Sequence, residues 1–208
     1  MSIEDKYVKN VYDKIAHNFS HTRYRPWTCV EEFLGNVPKN TIIGDIGCGN
    51  GKNMLYRKDC HNYGCDFSKE LVKICNDQKL NVVEGDVLNI PYNPNNFDYT
   101  MCIAVLHHLS TECKRKLAIN ELIRITKPGG KILILVWALE QEQDSRRKFV
   151  EQENYVDWRN KSKRLLGKRY YYVFKKNELE NLILNKKSVK LIKRFYERGN
   201  HGIILEKI

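Results

Sequence analysis

The feature that most constrains this chain is a glycine-rich loop that directly follows a β-branched segment. Residues 41–46 are predicted to form a strand that carries a carboxylate, Asp45, and the chain continues with glycine at alternate positions: Gly47, Gly49 and Gly51. Glycines at such spacing let the backbone adopt a positive φ and approach a ligand closely. In α/β folds a loop of this kind joins the first strand to the next helix and lines the ligand crevice.

Three kinds of ligand loop are compatible with parts of this pattern. A phosphate-binding P-loop requires Ser or Thr after Gly-Lys, but Gly51-Lys52 is followed by Asn53. A dinucleotide fold has the spacing GxGxxG, whereas the spacing here is GxGxG with Asp45 two residues before it. A carboxylate at that place repels a pyrophosphate and suits a ligand with an ammonium group, which favours S-adenosylmethionine. A turn with a purely structural role is the alternative.

Further polar residues follow the next strands, where the crevice of an α/β sheet lies. Asp66 ends the second predicted strand, 21 residues after Asp45, and can accept hydrogen bonds from ribose hydroxyls. Asp86 follows the third strand and can accept a hydrogen bond from the exocyclic amine of adenine. Neighbouring positions complete the predicted cofactor-binding set: Phe67, Val87 and Ala104.

A pair of histidines, His107 and His108, follows the fourth predicted strand directly and supplies candidate catalytic residues. A loop position without a role is the alternative. A two-histidine metal site is disfavoured because no third ligand stands at a suitable spacing. The seven cysteines form no CxxC pair, so we expect free thiols in a cytoplasmic or nuclear protein rather than a zinc cluster or a disulfide framework.

Strand-like and helix-like segments alternate along the chain. The predicted strands are 41–46, 62–66, 81–84, 97–105 and 131–139, and the predicted helices are 4–19, 29–34, 53–57, 69–78 and 113–125, with turns at 36–40 and 127–130. A strand at 169–174, a helix at 177–184 and a hairpin of 189–196 with 202–206 come after them. This pattern predicts an α/β fold with a doubly wound, mostly parallel sheet and a C-terminal antiparallel hairpin.

We expect a single domain of 208 residues in four parts. These are an N-terminal helical lid (1–39), a cofactor-binding core (40–139), a basic insertion without clear periodicity (140–168) and a segment that completes the sheet (169–208). No segment approaches the roughly 20 apolar residues of a membrane span. The charged N-terminus also lacks the apolar core of a signal peptide, so no membrane association is expected.

The net charge of +11 is distributed unevenly along the chain. Residues 1–139 hold 18 basic and 15 acidic side chains, whereas residues 140–208 hold 18 basic and 10 acidic side chains. A polyanionic partner bound by the C-terminal part is therefore expected, and a basic but merely solvated face is the alternative.

Four motifs of the core resemble the class I S-adenosylmethionine-dependent methyltransferases, which have a Rossmann-like fold. They are DIGCGNG (45–51), GD (85–86), AVLHH (104–108) and LIRITKPGG (122–130). Segments outside the core resemble the eukaryotic tRNA carboxymethyluridine methyltransferases: YVKNVYDKIAHNFSHTRYRPW (7–27), VWALEQ (136–141), RYYYVF (169–174) and YER (196–198). This resemblance implies methyl esterification of the carboxymethyl group on the wobble uridine of tRNA, together with a small zinc-binding activator subunit as heterodimer partner. Residues 142–168 match little of the family beyond their basic start.

The resemblance also implies roles for individual residues. Arg23 and Tyr24 would lie over the cofactor or the substrate carboxylate, with Trp27 packing the lid. Trp137 and Glu140 would line the crevice where a flipped uridine stacks or forms hydrogen bonds. Basic residues of the insertion would contact tRNA phosphates: Arg146, Arg147, Lys148, Lys163, Arg164, Lys168 and Arg169.

The absence of an obvious acid–base pair agrees with this chemistry, because a carboxylate with a pKa of about 4 is already ionised at neutral pH. Two other functions remain open at this point. The core motifs also allow a methyltransferase for a small molecule such as a quinone precursor or lipid, although the basic C-terminal part disfavours it. A non-catalytic module that retains the fold is disfavoured by the intact glycine loop and Asp66.

Overall fold

The computed structural model describes residues 1–35, 37–160 and 162–208, so the start of the turn predicted at 36–40 lies outside the described residues. A π-helical turn, Asp5–Lys9, continues into α1 (Asn10–Ser20), and the other helices are α2 (Thr28–Gly35), α3 (Lys69–Asp77), α4 (Glu112–Ile125) and α5 (Glu178–Asn181). The strands are β1 (Ile42–Ile46), β2 (His61–Asp66), β3 (Asn81–Glu84), β4 (Phe97–Ile103), β5 (Thr126–Trp137), β6 (Glu153–Arg159), β7 (Leu165–Tyr172), β8 (Val189–Glu197) and β9 (Asn200–Lys207). None of the helices described combines the length and apolar composition needed to cross a bilayer.

Seven of the strands form one sheet in the order β3-β2-β1-β4-β5-β9-β8. The first five are parallel to one another, whereas β9 is antiparallel to both β5 and β8. The predicted doubly wound, mostly parallel sheet with a C-terminal antiparallel hairpin is therefore confirmed. The strand order switches direction between β1 and β4, and such a switch point opens a crevice at the carboxyl ends of the strands.

The sheet is buried on both faces because its central strands are apolar along nearly their whole length. In β5, the residues from Ile132 to Val136 are all fully buried. Side chains of α4 and α5, such as Leu122 and Leu179, belong to the core on one face of the sheet, and Phe33 of α2 belongs to the core on the other. Burying one such side chain contributes roughly 1.5–3 kcal/mol, so these layers hold the strand ends in place.

The insertion at 140–168, which shows no clear periodicity in the sequence, contains regular structure. Its second half contains β6, which pairs antiparallel with β7 in a separate two-stranded sheet, called here the hairpin. Exposed and half-buried residues alternate along β6, and Val156 and Trp158 are on the half-buried side. Charged residues occupy most of the exposed positions, so they hide the apolar period of the strand. The strand predicted at 169–174 in fact begins at Leu165.

Two short local predictions are also wrong. Residues 52–56 form turns instead of a helix, because the amide of Asn53 is buried and donates to Asp45 Oδ2 at 3.3 Å. Such side-chain hydrogen bonds compete with helix formation. Residues 127–130 belong to β5 instead of a separating turn, with Gly129 at a φ of 76°. Regular pairing with β4 resumes at Lys131 after an irregularity in the register.

Candidate active site

A cavity of about 690 Å³ opens at the carboxyl ends of the parallel strands. The loops after β1, β2, β3 and β4 line it from the sheet, and α1 and the hairpin line it from the other side. Its residues from these loops include Gly47, Gly49, Asp66, Phe67, Asp86, Val87, Ala104, Val105, His107 and His108, and those from α1 and the hairpin include Tyr12, Phe19, Arg169 and Tyr171. The cavity thus occupies the place that the topological switch point predicts.

The glycine loop after β1 has a backbone shape that few other residues could adopt. Gly47 and Gly49 have φ values of 73° and 59°. A Cβ atom on Gly47 would lie 2.2 Å from Cγ2 of Val105, so a side chain does not fit there. The amide of Gly49 donates a hydrogen bond to Asp66 Oδ2 at 2.7 Å. The loop and the end of β2 are therefore fixed together in the wall of the cavity.

Asp66 is a buried carboxylate that retains hydrogen-bonding capacity toward the cavity. Besides the bond from Gly49, its Oδ1 accepts the amide N–H of Ser68 at 2.9 Å. Burial raises the pKa of Asp66, and these two N–H groups oppose the rise because they favour the ionised form. Each carboxylate oxygen has two lone pairs, so one on each remains for a ribose hydroxyl. Asp86 is held similarly, with Oδ1 accepting the amide N–H of Leu88 at 2.9 Å.

Two residues of the predicted cofactor-binding set lie behind the loop, outside the cavity lining. Asp45 is only 1% exposed, and burial raises its pKa to about 7. Gly51 faces Leu80, whose Cδ1 is 2.3 Å from where a Cβ atom would lie. Both residues support the loop from behind. Neither lines the cavity, so the structure does not place Asp45 or Gly51 in direct contact with a cofactor there.

A second set of cavity residues is cationic and aromatic. Arg23, Arg147 and Arg169 reach the cavity from three separate segments of the chain. The Arg147 guanidinium carbon lies 3.8 Å from the centre of the Trp137 ring, and Trp137 stacks on Tyr171 at 4.0 Å. Within the described part of the chain, none of the three guanidinium groups has a carboxylate within 4.0 Å. Because the Trp137 ring already contacts both Tyr171 and Arg147, it forms part of the cavity wall. Its ring face is therefore not free to stack on the uracil of a flipped nucleotide.

The hydrogen bonds of the two histidines define their tautomers. The amide N–H of Trp137 donates to His107 Nδ1 at 3.0 Å, so the proton of this ring is on Nε2. His108 Nδ1 donates to the carbonyl oxygen of Tyr170 at 2.7 Å, and its Nε2 accepts from the Tyr12 hydroxyl at 3.1 Å. Burial lowers the pKa of His107 far below its usual range and that of His108 to about 3. Both rings are neutral, and neither offers a free basic nitrogen to the cavity.

The remaining predicted substrate residues lie outside the cavity. Tyr24 is 80% exposed, and the carboxylate of Glu140 accepts hydrogen bonds from His201 Nε2 at 2.9 Å and the Lys176 amide at 3.0 Å. The other basic residues of the predicted phosphate-binding set are on the surface: Arg146, Lys148, Lys163, Arg164 and Lys168. Of that set, only Arg147 and Arg169 line the cavity.

Sequence reasoning missed three aromatic residues of the site. The sequence pattern predicts a helix over 4–19 and a strand over 169–174, without a role in the site for Tyr12, Phe19 or Tyr171. In the structure the Tyr12 hydroxyl forms a hydrogen bond with His108. The Phe19 ring lies 3.3 Å from where a Cβ atom on Gly49 would be. The alternation of Arg169 and Tyr171 along one strand was the only local signal, because residues two apart in a strand share a face.

The fold and the cavity agree with comparisons to known proteins. A family model described as a methyltransferase domain matches residues 44–134. An S-adenosylmethionine-dependent methyltransferase from Aquifex aeolicus has the same fold, with a TM-score of 0.62 at 19% identity over 86% of this chain and 89% of that chain. The CcbJ methyltransferase of Streptomyces caelestis has a TM-score of 0.75 at 11% identity over 95% and 97%. Together with the glycine loop and the carboxylate of Asp66, these findings define a class I methyltransferase whose cofactor is S-adenosylmethionine.

Curated relatives define the family more closely. The tRNA (carboxymethyluridine(34)-5-O)-methyltransferase of Schizosaccharomyces pombe is 40% identical over 98% of this chain and 97% of its own length. Proteins of that name from Arabidopsis thaliana and Xenopus tropicalis are 51% and 34% identical over 69% and 100% of this chain. The chain spans only 35% and 42% of the lengths of these two relatives. The chain belongs to the tRNA carboxymethyluridine methyltransferase family, which confirms the family expected from the motifs.

Proposed function

We propose that this chain transfers the methyl group of S-adenosylmethionine to the carboxylate of 5-carboxymethyluridine at the wobble position of tRNA, which forms a methyl ester. The observation that carries the proposal is the S. pombe relative, which is named for this activity at position 34 and aligns with nearly the whole chain. The cavity supports it, because carboxylates suit a cationic methyl donor and guanidinium groups suit an anionic acceptor. The named relatives all modify tRNA, so the small-molecule and non-catalytic alternatives are not favoured.

The chemistry requires placement more than proton transfer. S-adenosylmethionine supplies an electrophilic methyl group on a cationic sulfur. The substrate carboxylate, with a pKa of about 4, is ionised at neutral pH and needs no general base. Neither of the two cavity histidines offers one, since Nδ1 of His107 accepts from the Trp137 amide and Nε2 of His108 accepts from the Tyr12 hydroxyl. The chain then contributes by holding the two reactants in line, which is proximity and orientation catalysis.

The surface of the hairpin supports a role in tRNA binding. Residues 140–208 carry 18 of the basic side chains and 10 of the acidic ones. Lys163, Arg164 and Lys168 are exposed on the hairpin, which also lines the cavity through its inner face. Exposed cations of this kind bind phosphates and give affinity without reading base sequence. They would hold the anticodon region over the cavity while the cavity itself recognises the nucleotide.

A small zinc-binding activator subunit is the proposed partner, bound at the free edge of β3. A methyltransferase that was solved together with the Trm112 activator of Haloferax volcanii has a TM-score of 0.69 with this chain at 15% identity over 96% of this chain and 97% of that chain. At the edge formed by β3, Val83 is 43% exposed and Tyr63 of the adjacent β2 is 36% exposed. An unpaired strand with apolar neighbours is a natural place for β-sheet pairing with a partner. We expect Val83→Glu to abolish co-purification of the activator; unchanged co-purification would contradict this docking site.

The proposed reaction is tested with S-adenosylmethionine that carries a labelled methyl group. The chain, with its activator, is incubated with tRNA that bears 5-carboxymethyluridine, and the product is treated with mild alkali. A methyl ester is saponified and releases its label, whereas methyl groups on nitrogen or carbon do not. Label that survives alkali would contradict esterification. The proposal places this reaction in the cytoplasm or nucleus, where the free thiols of the chain stay reduced.

A further inference from the structure

Arg169 is a buried cation that lacks a counter-ion in the described part of the chain. Its side chain is enclosed by aromatic rings, with the guanidinium carbon 4.7 Å from the centre of Trp158 and 5.1 Å from that of Tyr171. The residue is only 6% exposed, and its buried Nε has no hydrogen-bond partner among the residues that the structure describes. Its polar contact is a long one, from Nη1 to the Tyr12 hydroxyl at 3.5 Å. A guanidinium is costly to bury unless an anion completes its surroundings.

Among the described residues, the side chains packed around Arg169 are neutral. The Tyr12 hydroxyl donates to His108 Nε2, since the other nitrogen of that ring donates to a carbonyl. Burial raises the pKa of Tyr171, so this side chain remains a neutral phenol. His107 packs 5.1 Å from Tyr171 and carries its proton on Nε2. The neutral groups packed around Arg169 therefore do not balance its charge, and its guanidinium N–H groups suit an anionic ligand in the cavity.

The position of Arg169 separates it from Arg23. Arg23 lies on the Phe19 ring beside the glycine loop, and its carbonyl oxygen accepts the amide of Asn50 at 3.1 Å. This places Arg23 with the cofactor, whose methionine end carries a carboxylate of its own. Arg169 instead projects from the hairpin beside the aromatic wall. It is also too deeply buried to serve as one of the surface contacts to phosphates.

We infer that Arg169 receives the carboxylate of the substrate nucleoside and is a specificity-determining residue of this enzyme. This inference rests on the proposed function. In the reaction a carboxylate oxygen forms a bond to the methyl carbon, and the sulfur–carbon bond breaks with its electron pair left on sulfur. The carboxylate and the sulfonium both become neutral, so the ester loses its attraction to Arg169. The same guanidinium thus selects the acid over a neutral amide and favours release of the product.

The test compares Arg169→Gln and Arg169→Lys with Arg164→Gln, an exposed arginine in the loop of the hairpin. We expect Arg169→Gln to lower kcat/KM for tRNA that bears 5-carboxymethyluridine on the order of 100-fold. Its affinity for S-adenosylmethionine and for unmodified tRNA should stay close to that of the wild type. Arg169→Lys, which keeps the charge, should restore part of the activity. Arg164→Gln should weaken binding of every tRNA and leave the preference for the acid intact.

The inference can also be tested on the wild-type chain, so that the test does not depend on whether the Arg169 variants fold. Two competitor tRNAs are compared, one with 5-carboxymethyluridine and one with the uncharged 5-carbamoylmethyluridine of nearly the same shape. The wild type should bind the acid at least about tenfold more tightly, and Arg169→Gln should lose this preference. Equal binding by the wild type would overturn the inference.

Other outcomes assign Arg169 elsewhere and equally overturn the inference. If Arg169→Gln also lost affinity for S-adenosylmethionine, the residue would be a cofactor contact. If it also lost affinity for unmodified tRNA, the residue would be a phosphate contact. Failure of the proposed function looks different, because the wild type itself would then form no alkali-labile ester on 5-carboxymethyluridine.

Discussion

Replacing Asp66 with asparagine keeps the shape of the side chain and removes its charge, which tests how the cavity holds the cofactor. Both carboxylate oxygens accept backbone N–H groups, from Gly49 at 2.7 Å and from Ser68 at 2.9 Å. An amide offers only one oxygen, so one of these N–H groups would face another donor. The variant should lose about 1–3 kcal/mol in the free energy of unfolding for that reason.

The same substitution weakens the hydrogen bonds available to the ribose hydroxyls of S-adenosylmethionine. A hydrogen bond to a charged group contributes about 1.5–3 kcal/mol. Loss of one such bond should raise the Kd about 10- to 150-fold, since each 1.4 kcal/mol is a factor of ten. Asp66→Asn should therefore bind the cofactor about one to two orders of magnitude more weakly than the wild type.

Isothermal calorimetry with S-adenosylmethionine measures this effect, and urea denaturation measures the stability of the same samples. Asp86→Asn is the matched control, because Asp86 has a hydrogen bond from the Leu88 amide and none from the glycine loop. It should affect the free energy of unfolding less than Asp66→Asn does. If folded Asp66→Asn binds the cofactor within about threefold of the wild type, the assignment of Asp66 to the ribose is refuted.

Three further predictions concern the loop, the histidines and the hairpin. Gly47→Ala combines a left-handed backbone with a Cβ atom 2.2 Å from Val105, so urea denaturation should show a loss of about 2–5 kcal/mol; a loss under about 1 kcal/mol would contradict this. A pKa of about 3 keeps the His108 ring neutral between pH about 6 and 9, so kcat should stay level over that range. A limb near pH 6.5 in the rate profile would instead show a histidine that titrates during the reaction. The double variant of Arg164→Gln and Lys168→Gln should make the negative slope of log affinity for tRNA against log salt shallower by about 1.4–1.8, and an unchanged slope would count against phosphate contacts there.

Much of the core could be predicted from local sequence chemistry. The glycine loop and the carboxylate at the end of β2 were accessible because each depends on residues next to one another in the chain. The apolar runs of β4 and β5 likewise indicated strands covered on both faces. These elements are the ones that form the sheet and the cofactor side of the cavity.

The substrate side could not be predicted in the same way, because distant segments form it. Tyr12 meets Tyr171 across 159 positions of sequence, with the two hydroxyl oxygens 3.5 Å apart. Neither residue has a neighbour in the chain that signals this contact. Tertiary packing alone brings α1 and the hairpin together over the strand ends.

Arg169 shows the same limit for charge. In the sequence it is one member of a basic run, and composition cannot distinguish a buried cation from an exposed one. Its position in β7 makes it a buried cation, because Arg169 and Tyr171 are on the strand face that lines the cavity. Lys168, Tyr170 and Tyr172 are on the opposite face. Lys168, directly before it, is exposed.

The central claim concerns which atom is methylated, and mass spectrometry of nucleosides tests it most directly. tRNA bearing 5-carboxymethyluridine is incubated with the chain, the proposed activator subunit and S-adenosylmethionine, then digested and compared with the untreated tRNA. We expect the carboxymethyl nucleoside to be replaced by its methyl ester at position 34, the position that the relatives' names specify. A methyl group found on the base ring or the ribose, or an unchanged carboxymethyl nucleoside alongside a bound cofactor, would contradict the account.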